Sequence, residues 1–429
     1  MSSAPTVIHS DVSVTGETLA LSTDGCQVGV MSIPVAERTT YREVFSAPGF
    51  AALFATSTLT VLGISLQILA FSVVVFEATG SSTWSSAAFA AGFLPGVVGG
   101  LLLPSLADRW SARPLIVAGS GVRLLLGLLL AVLAARSSVA AGIVVVALGA
   151  LLHPLVSAAQ SALLLRLLEG DQYVLGRSSF TVTSMVAQLA GLALGGLVLQ
   201  ALGTFAVLVL AAGMHGVAVL VGVLGLPSIR SSGLREAWSP GETLRGYREL
   251  FGDRLIRSLL LLWWTPFALL AGVESLAVSY AGHAGAGGLA TAVLMGATPF
   301  GAMVGTFVVG RVCRPTTRER LVPVLVVVLG ASLLPLAAAP GPWAAALLMA
   351  VAGAGLAFEV GGQAAFRDAL PPGRQALGFG LLGLGMMTGQ GLGPLLAGPL
   401  ADLSSPGLAS AVMGLLVLLA APVLLAPRR

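Results

Sequence analysis

The feature that most constrains this chain is a series of apolar runs, each about 20 residues long, which begins at residue 49. A helix of that length spans the hydrocarbon core of a bilayer. The runs do not alternate polar with apolar residues, so helices are favoured over the strands of a membrane barrel. Charged residues make up only 9% of the sequence, which is too few to cover a water-exposed surface of this size. The sequence therefore predicts an all-α polytopic membrane protein.

The apolar runs number twelve. They cover residues 49–76, 84–107, 114–135, 138–160, 178–201, 204–226, 255–280, 288–310, 321–338, 343–366, 376–400 and 407–426. Short apolar turns alternate along the chain with longer turns that carry arginine. Each run is therefore predicted to be one transmembrane helix, and successive helices are expected to cross in opposite directions.

Four regions follow from the position of the longest charged segment. We predict a disordered cytoplasmic tail, an N-terminal six-helix bundle, a cytoplasmic linker and a C-terminal six-helix bundle, at 1–44, 45–226, 227–254 and 255–429. The tail is polar and has no apolar run of signal-peptide type, although a cleaved targeting segment is an alternative. Within the linker, "GETLRGYRELFGDRLIR" has apolar residues at helical spacing, which indicates a short helix on the membrane surface. A plain flexible linker is the alternative.

The arginines indicate the orientation. With the N-terminus in the cytoplasm, all but two of the 22 basic residues lie on the inner side or in the inner turns; the exceptions are Arg123 and Arg136. This bias is typical of cytoplasmic loops, so both termini are predicted to be cytoplasmic. The absence of Lys and Asn, whose codons are A-rich, indicates a GC-rich bacterial genome and hence the bacterial cytoplasmic membrane. The arginines form no stripe, so no nucleic-acid partner is expected.

The two halves of the chain repeat each other. Gly310-Arg311 occupies the place of Asp108-Arg109 after an offset of 202 residues, and Gln363 follows Gln160 by 203. The glycine-rich segments that start at Gly191 and Gly393 are again 202 residues apart. Agreement between three unrelated features predicts a duplicated six-helix unit.

The turn "LADRWSAR", together with this duplication, resembles the major facilitator superfamily. The turn matches that family's pattern at Asp108, Arg109 and Arg113 and departs from it at Pro104, Ser111 and Ala112. The segment from "HPLVSAAQSALLLRLLEGDQYVLGRSS" onward is similar to bacterial exporters of the macrolide-efflux and enterobactin-export branch. The resemblance implies two pseudo-symmetric six-helix bundles with a substrate pocket between them near the bilayer midplane. The first, fourth, seventh and tenth helices would line that pocket, and transport would proceed by alternating access.

Polar side chains inside those four helices are the candidates for the transport site, because polar groups in a membrane are costly. The candidates for lining the cavity are Ser65, Gln67, Gln160, Ser275 and Gln363. For proton coupling we favour Glu359, then Glu274, then His153, since a carboxyl group in an apolar, gated cavity binds a proton more readily than one in water. A structural role in bonding between helices is the alternative for each of them.

A second group of residues is assigned to gating and conformational change. The resemblance implies that Asp108, with Arg109 and Arg113 beside it, holds the halves together at the cytoplasmic end in the outward-facing state, against the eleventh helix. Arg123 is predicted to pair within the N-terminal half in preference to binding substrate. The remaining members are Gly191, Gly195, Gly196, Gly393 and Pro394, for which helix packing alone is an equal explanation.

The chemistry of the chain narrows its function. A nucleotide-binding loop of the Gly-x-x-x-x-Gly-Lys type is excluded because there is no Lys, so an ion gradient is the expected energy source. Four His and two Cys, widely scattered, do not form an enzyme or metal site. We predict a monomeric, non-enzymatic exporter of a small, partly apolar compound that exchanges it for protons and needs no cofactor. An importer of a small solute, and a non-transporting sensor on a transporter fold, are the alternatives.

Overall fold

The computed structural model describes residues 40–103, 110–228 and 240–425, and within them the regular structure is helical, without strands. We number the membrane-crossing segments from the first to the twelfth span. Their bounds are Phe50–Thr79, Ser82–Leu102, Ala112–Ala135, Val139–Leu167, Gly170–Gly225 for the fifth and sixth together, Arg254–His283, Gly288–Val312, Thr316–Ala338, Pro342–Ala369, Gln375–Leu403 and Pro406–Leu425.

The number of spans rises from ten to twelve because of two of these segments. Among the described residues, ten helical stretches are long and apolar enough to cross a membrane. One of them, Gly170–Gly225, has 56 residues. At 1.5 Å per residue it would extend about 84 Å, so it is too long for a single crossing of about 30 Å. It bends at Gly203, whose φ of 80° suits a residue without a Cβ, and so crosses twice. Gln375–Leu403, with 29 residues, adds the twelfth span.

Three spans are interrupted helices. The second consists of Ser82–Ala91 and Leu94–Leu102, the seventh of Arg254–Ser275 and Ala277–His283, and the tenth of Pro342–Gly355 and Phe358–Ala369. The ninth ends in a 3₁₀ turn, Leu334–Ala338, after the helix Pro315–Leu333. At each break the backbone makes tighter three-residue hydrogen bonds, such as those from Gly92 N–H to the Phe89 carbonyl oxygen at 3.0 Å and from Leu276 N–H to the Val273 carbonyl oxygen at 3.1 Å.

The two halves pack in the same way. In the first half the fifth span lies against the first, where a Cβ at Gly191 would come within 3.0 Å of the Leu62 carbonyl oxygen. In the second half the eleventh span lies against the seventh, where a Cβ at Gly393 would come within 3.0 Å of the Gly272 nitrogen. Close approach of helices at small residues is the usual way in which membrane helices associate. The repeat found in the sequence therefore corresponds to two six-helix bundles of similar internal packing.

Two short helices lie outside the twelve spans. A short helix, Tyr41–Ser46, begins inside the segment predicted as a tail, because Thr40 and Glu43 form a reciprocal cap and Val44 is buried. In the linker, the helix Pro240–Gly252 lies against the C-terminal bundle, where Leu250 is buried and Phe251 stacks on Trp264. Residues 1–39 and 229–239 lie outside the described residues, as do Asp108 and Arg109.

Candidate functional site

A cavity of about 340 Å³ lies between the two bundles. From the N-terminal bundle it is lined by residues of the first four spans, and from the C-terminal bundle by Phe267 of the seventh span and four residues of the eleventh. The lining residues are Ile64, Gln67, Ile68, Gly92, Phe93, Arg123, Leu126, Val145, Val146, Gly149, Ala150, His153, Phe267, Gly383, Met386, Met387 and Gln390. A largely apolar cavity with a few polar groups is the usual form of a small-molecule site.

Four polar side chains break the apolar lining of this central cavity. Gln67 of the first span and Gln390 of the eleventh are on its two sides, so each bundle contributes one amide. His153 has a buried Nδ1 without a hydrogen-bond partner. Arg123 is 8% exposed; its Nη2 donates to the Gly149 carbonyl oxygen at 3.1 Å, whereas its buried Nε has no partner. The cavity thus presents donors with unused capacity beside an apolar surface.

The structure separates Gln160 from His153, although seven residues of helix place both on one face. Pro154 lies within the helix between them. Gln160 lines a second, more polar cavity of about 170 Å³ inside the N-terminal bundle, with Ser57, Ser161, Arg177 and Ser184. Its Nε2 has no hydrogen-bond partner. Gln160 is therefore not part of the central cavity.

The two serines predicted to line the cavity, Ser65 and Ser275, do not line the central cavity. Ser65 is buried, its Oγ donates to the Val61 carbonyl oxygen, and it packs where the fifth span approaches at Gly191. Ser65 and Gln67 are two residues apart, about 200° around the helix, so only one of them can face the cavity. Ser275 ends the first helix of the seventh span and donates to Ser86 Oγ at 3.1 Å, which joins the two bundles.

The acidic candidates lie near breaks in their spans, outside the lining of the central cavity. Glu359 is in the first turn of the helix Phe358–Ala369, and its Oε1 is buried without a hydrogen-bond partner. Glu274 is in the last turn of Arg254–Ser275, seven residues and hence two turns beyond Phe267, on the same helix face. Gln363 is exposed and lines none of the described cavities, because the break before Phe358 changes the register of the tenth span.

The bundles are joined at the end of the molecule opposite the arginine-rich turns, which we call the outer end. Asp402, at the end of the eleventh span, accepts hydrogen bonds from Ser81 Oγ at 2.6 Å, from Ser82 N–H at 2.6 Å and from Thr83 N–H at 3.1 Å. The carboxylate therefore caps the N-terminus of the second span across the interface. We call this cluster the outer latch. None of its residues was among those predicted from the sequence.

A weaker counterpart of the outer latch lies on the other side of the interface. Gln200, at the outer end of the fifth span, accepts from the Leu289 N–H of the eighth span at 3.2 Å. Asp402 follows Gln200 by 202 residues, which is the repeat offset. Between the described residues of the two bundles, the hydrogen bonds all lie in this outer half. At the outer end, therefore, the bundles meet.

Most of the predicted gating residues that the structure describes make contacts within a single bundle. Arg113 donates to the Val223 carbonyl oxygen at 2.6 Å and so ties the third span to the sixth, inside one bundle. Gly191 and Gly195 pack against the first span, and Gly393 against the seventh, again within one bundle. Pro394 is buried inside the eleventh span. Gly196 differs, because a Cβ there would come within 3.2 Å of the Gly288 carbonyl oxygen of the other bundle.

Comparison with known proteins agrees with this architecture. The profile of the Major Facilitator Superfamily matches residues 53–359, more than half of the chain. The chain belongs to the major facilitator superfamily. It is accordingly a membrane transporter with the fold of that superfamily, whose members are generally carriers without enzymatic activity. No curated protein matches the chain in a comparison of sequences.

Several solved transporter structures have a similar fold over most of this chain. A variant of the nucleoside transporter NupG has a TM-score of 0.71 at 13% identity and covers 88% of this chain and 99% of its own. The xylose transporter XylE from E. coli has a TM-score of 0.65 at 14% identity, with 89% and 96% covered. A POT family transporter in complex with 5-aminolevulinic acid has a TM-score of 0.66 at 11% identity, with 88% and 96% covered. At these identities the likeness concerns the fold alone.

Proposed function

We propose that this transporter exports a small, partly apolar compound across the cytoplasmic membrane of a bacterium, in exchange for protons. The observation that carries the proposal is the central cavity between two bundles that are hydrogen-bonded to each other at the outer end. The arginine-rich end faces the cytoplasm if the positive-inside rule applies. A cavity closed on the outer side then belongs to the state that exchanges substrate with the cytoplasm, which an exporter uses for loading and an importer for release.

The apolar part of the lining supports the proposed substrate class. Phe93, Phe267, Met386 and Met387 supply flexible or aromatic surface from both bundles, and Gln67 and Gln390 supply amide groups. Methionine side chains adapt to ligands of different shapes, as in other binding surfaces of broad specificity. A sugar-like solute would require more hydrogen-bonding groups than this lining offers, so a partly apolar compound fits it better.

Glu359 is the residue that we propose for proton coupling. Its carboxyl group is half-buried, follows a helix break and has one oxygen without a donor. A buried carboxylate without donors is costly, and a proton removes that cost. Water that reaches this carboxyl group when the bundles move would favour the ionised form instead. A group under two opposing influences of this kind can bind and release a proton as the bundles move.

The experiment uses everted membrane vesicles that contain the transporter, with acridine orange as the reporter of an imposed pH gradient. Small apolar and amphipathic compounds are added one at a time. A substrate should partly dissipate the gradient and accumulate in the vesicles, and Glu359→Gln should abolish both effects while the protein still inserts and folds. Accumulation only in whole cells, independent of the gradient, would establish import instead. Binding without any movement of compound would favour a sensor.

A further inference from the structure

The guanidinium group of Arg123 lies in the wall of the central cavity and has no acidic partner among the described residues. It sits near the middle of the third span, about 17 Å from either end of that helix. The ion pairs between described residues are Arg367 with Asp368 and Arg374 with Glu249, both at the surface. The single hydrogen bond of Arg123 is the one to Gly149, and its Nε is unused. A buried cation that lacks a counter-charge is strongly disfavoured unless something supplies one.

The polar side chains that line the cavity with Arg123 are uncharged amides and an imidazole, and the lining contains no Asp or Glu. His153 lines the same cavity as Arg123. The two amides, Gln67 and Gln390, contribute further N–H donors. A cationic compound in this cavity would therefore meet like charge, whereas an anion would meet an unpaired cation and several donors.

We propose that the substrate is a small organic anion, with a carboxylate at one end and an apolar body. The carboxylate would bind the guanidinium of Arg123 on the N-terminal bundle, because that planar fork matches two carboxylate oxygens. The apolar body would lie against Phe267, Met386 and Met387, which belong to the C-terminal bundle. Each bundle thus holds one end of the substrate. The inference rests on the proposed function to the extent that this cavity is the transport site.

A consequence of this assignment concerns the membrane potential. Moving a negative charge out of a cell with a negative interior is favoured, and exchange for an entering proton adds a second charge in the same sense. Net transport of the carboxylate should therefore depend on voltage as well as on pH. Transport of an uncharged analogue would lack the contribution of the substrate's charge and keep only that of the proton.

The test measures binding to the purified full-length protein in lipid nanodiscs by isothermal titration calorimetry. The probes are matched pairs of a carboxylate and its uncharged amide, namely benzoate, naphthoate and indole acetate with the corresponding amides. For at least one pair the carboxylate should bind about tenfold more tightly or better, as expected for a charge-assisted hydrogen bond. In Arg123→Gln the preference should fall to about twofold or less, since the charge is gone.

Two further variants make the result specific. Arg113→Gln removes an arginine from the same helix that bonds to Val223 outside the cavity, and it should retain the full preference for the carboxylate. Arg123→Lys keeps the charge but loses the planar fork, so the preference should shrink several-fold without disappearing. Arg123→Lys also serves if Arg123→Gln does not fold.

Three outcomes would overturn the inference: no carboxylate binds the wild-type protein more tightly than its amide, none binds at all, or the preference survives in Arg123→Gln. The proposed function is tested by a different measurement, pH-driven transport in vesicles. If the carboxylate preference is present and depends on Arg123 but no pH-driven transport occurs in vesicles, the anion site stands and the coupled export does not. If coupled export occurs for amides and carboxylates alike, the reverse holds.

Discussion

Replacing Asp402 with Asn should shift the transporter away from the state that is closed at the outer end. The carboxylate of Asp402 accepts three hydrogen bonds from the start of the second span, two of them from backbone N–H groups. Asparagine offers one oxygen in place of two and carries no charge, while its NH₂ group cannot accept. The variant is nearly isosteric, so the effect should come from the lost acceptor and the lost charge rather than from repacking.

The size of the shift follows from the outer latch. Hydrogen bonds to a charged group contribute about 1.5–3 kcal/mol each and neutral ones about 0.5–1.5 kcal/mol, so three bonds lose about 3 kcal/mol in total. Asp402 is largely exposed, and solvent screening reduces this to about 1–2 kcal/mol. The ratio of outward-open to outward-closed protein should then rise about 5- to 30-fold, because 1.36 kcal/mol corresponds to a factor of ten.

Accessibility of a cysteine at position 86 reports this change. Ser86 is fully buried between the bundles, beside Ser275, and a thiol there should react with an impermeant maleimide only when the outer end opens. Ser86→Cys is made in a background where Cys26 and Cys313 are Ser, with and without Asp402→Asn. The control is Asp368→Asn, which neutralises an exposed acid whose partner is Arg367. A labelling rate at position 86 that differs by less than about twofold between the two backgrounds would refute the reasoning.

Three more predictions concern neighbouring features. Gln200→Leu removes the acceptor for the Leu289 N–H and should increase labelling at position 86 less than Asp402→Asn does, because a single neutral hydrogen bond is lost. Gly196→Val brings a side chain against the eighth span and should prevent the outer end from closing. Gly310→Val, at an open position of the eighth span, should have no such effect. Equal labelling rates at position 86 in the two variants would contradict this prediction. Glu359→Gln should leave the thermal midpoint of unfolding within a few degrees while pH-driven transport is lost, and normal transport would exclude Glu359 as the coupling residue.

The fold could be predicted from the sequence because the membrane imposes a strong constraint. A helix must carry about 20 apolar residues to cross, so the twelve predicted runs lie within the observed spans or differ from them by a few residues at the ends. The largest difference is at the fifth span, which begins at Gly170 rather than 178. The segment "EGDQYVLGR" carries charged residues, so its hydropathy excluded it from the predicted span although most of it is helical.

The site was less predictable because helical periodicity holds only within an unbroken helix. Gln67 lies in an uninterrupted stretch of the first span and lines the central cavity. Glu359 and Gln363 follow the break after Gly355, and Gln160 follows Pro154, so their directions could not be obtained by counting 100° per residue. Met386, Met387 and Gln390 lie in the eleventh span, which was not expected to line the cavity.

The repeat offset could have identified the missed polar residues. Gln390 follows Gln188 by 202 residues, as Asp402 follows Gln200, and both pairs lie in the fifth and eleventh spans. The predicted repeat rests on three features only, and neither of these pairs is among them. Applied to every polar residue of the paired spans, the offset would have indicated both the amide in the cavity and the acceptors at the outer end.

The outer latch also gives a reason for the charged turn after the second span. The family resemblance implies that Asp108, at the cytoplasmic end of the second span, holds the eleventh span in the outward-facing state. At the outer end the structure shows the reverse arrangement, in which an acid of the eleventh span caps the start of the second. The same pair of spans would then carry one acid at each end, and rocking of the bundles could satisfy only one of them at a time. Asp402→Asn and Asp108→Asn should therefore change the labelling rate at position 86 in opposite directions, and the double variant should return that rate toward the wild-type value. Changes in the same direction would show that the two acids do not oppose each other.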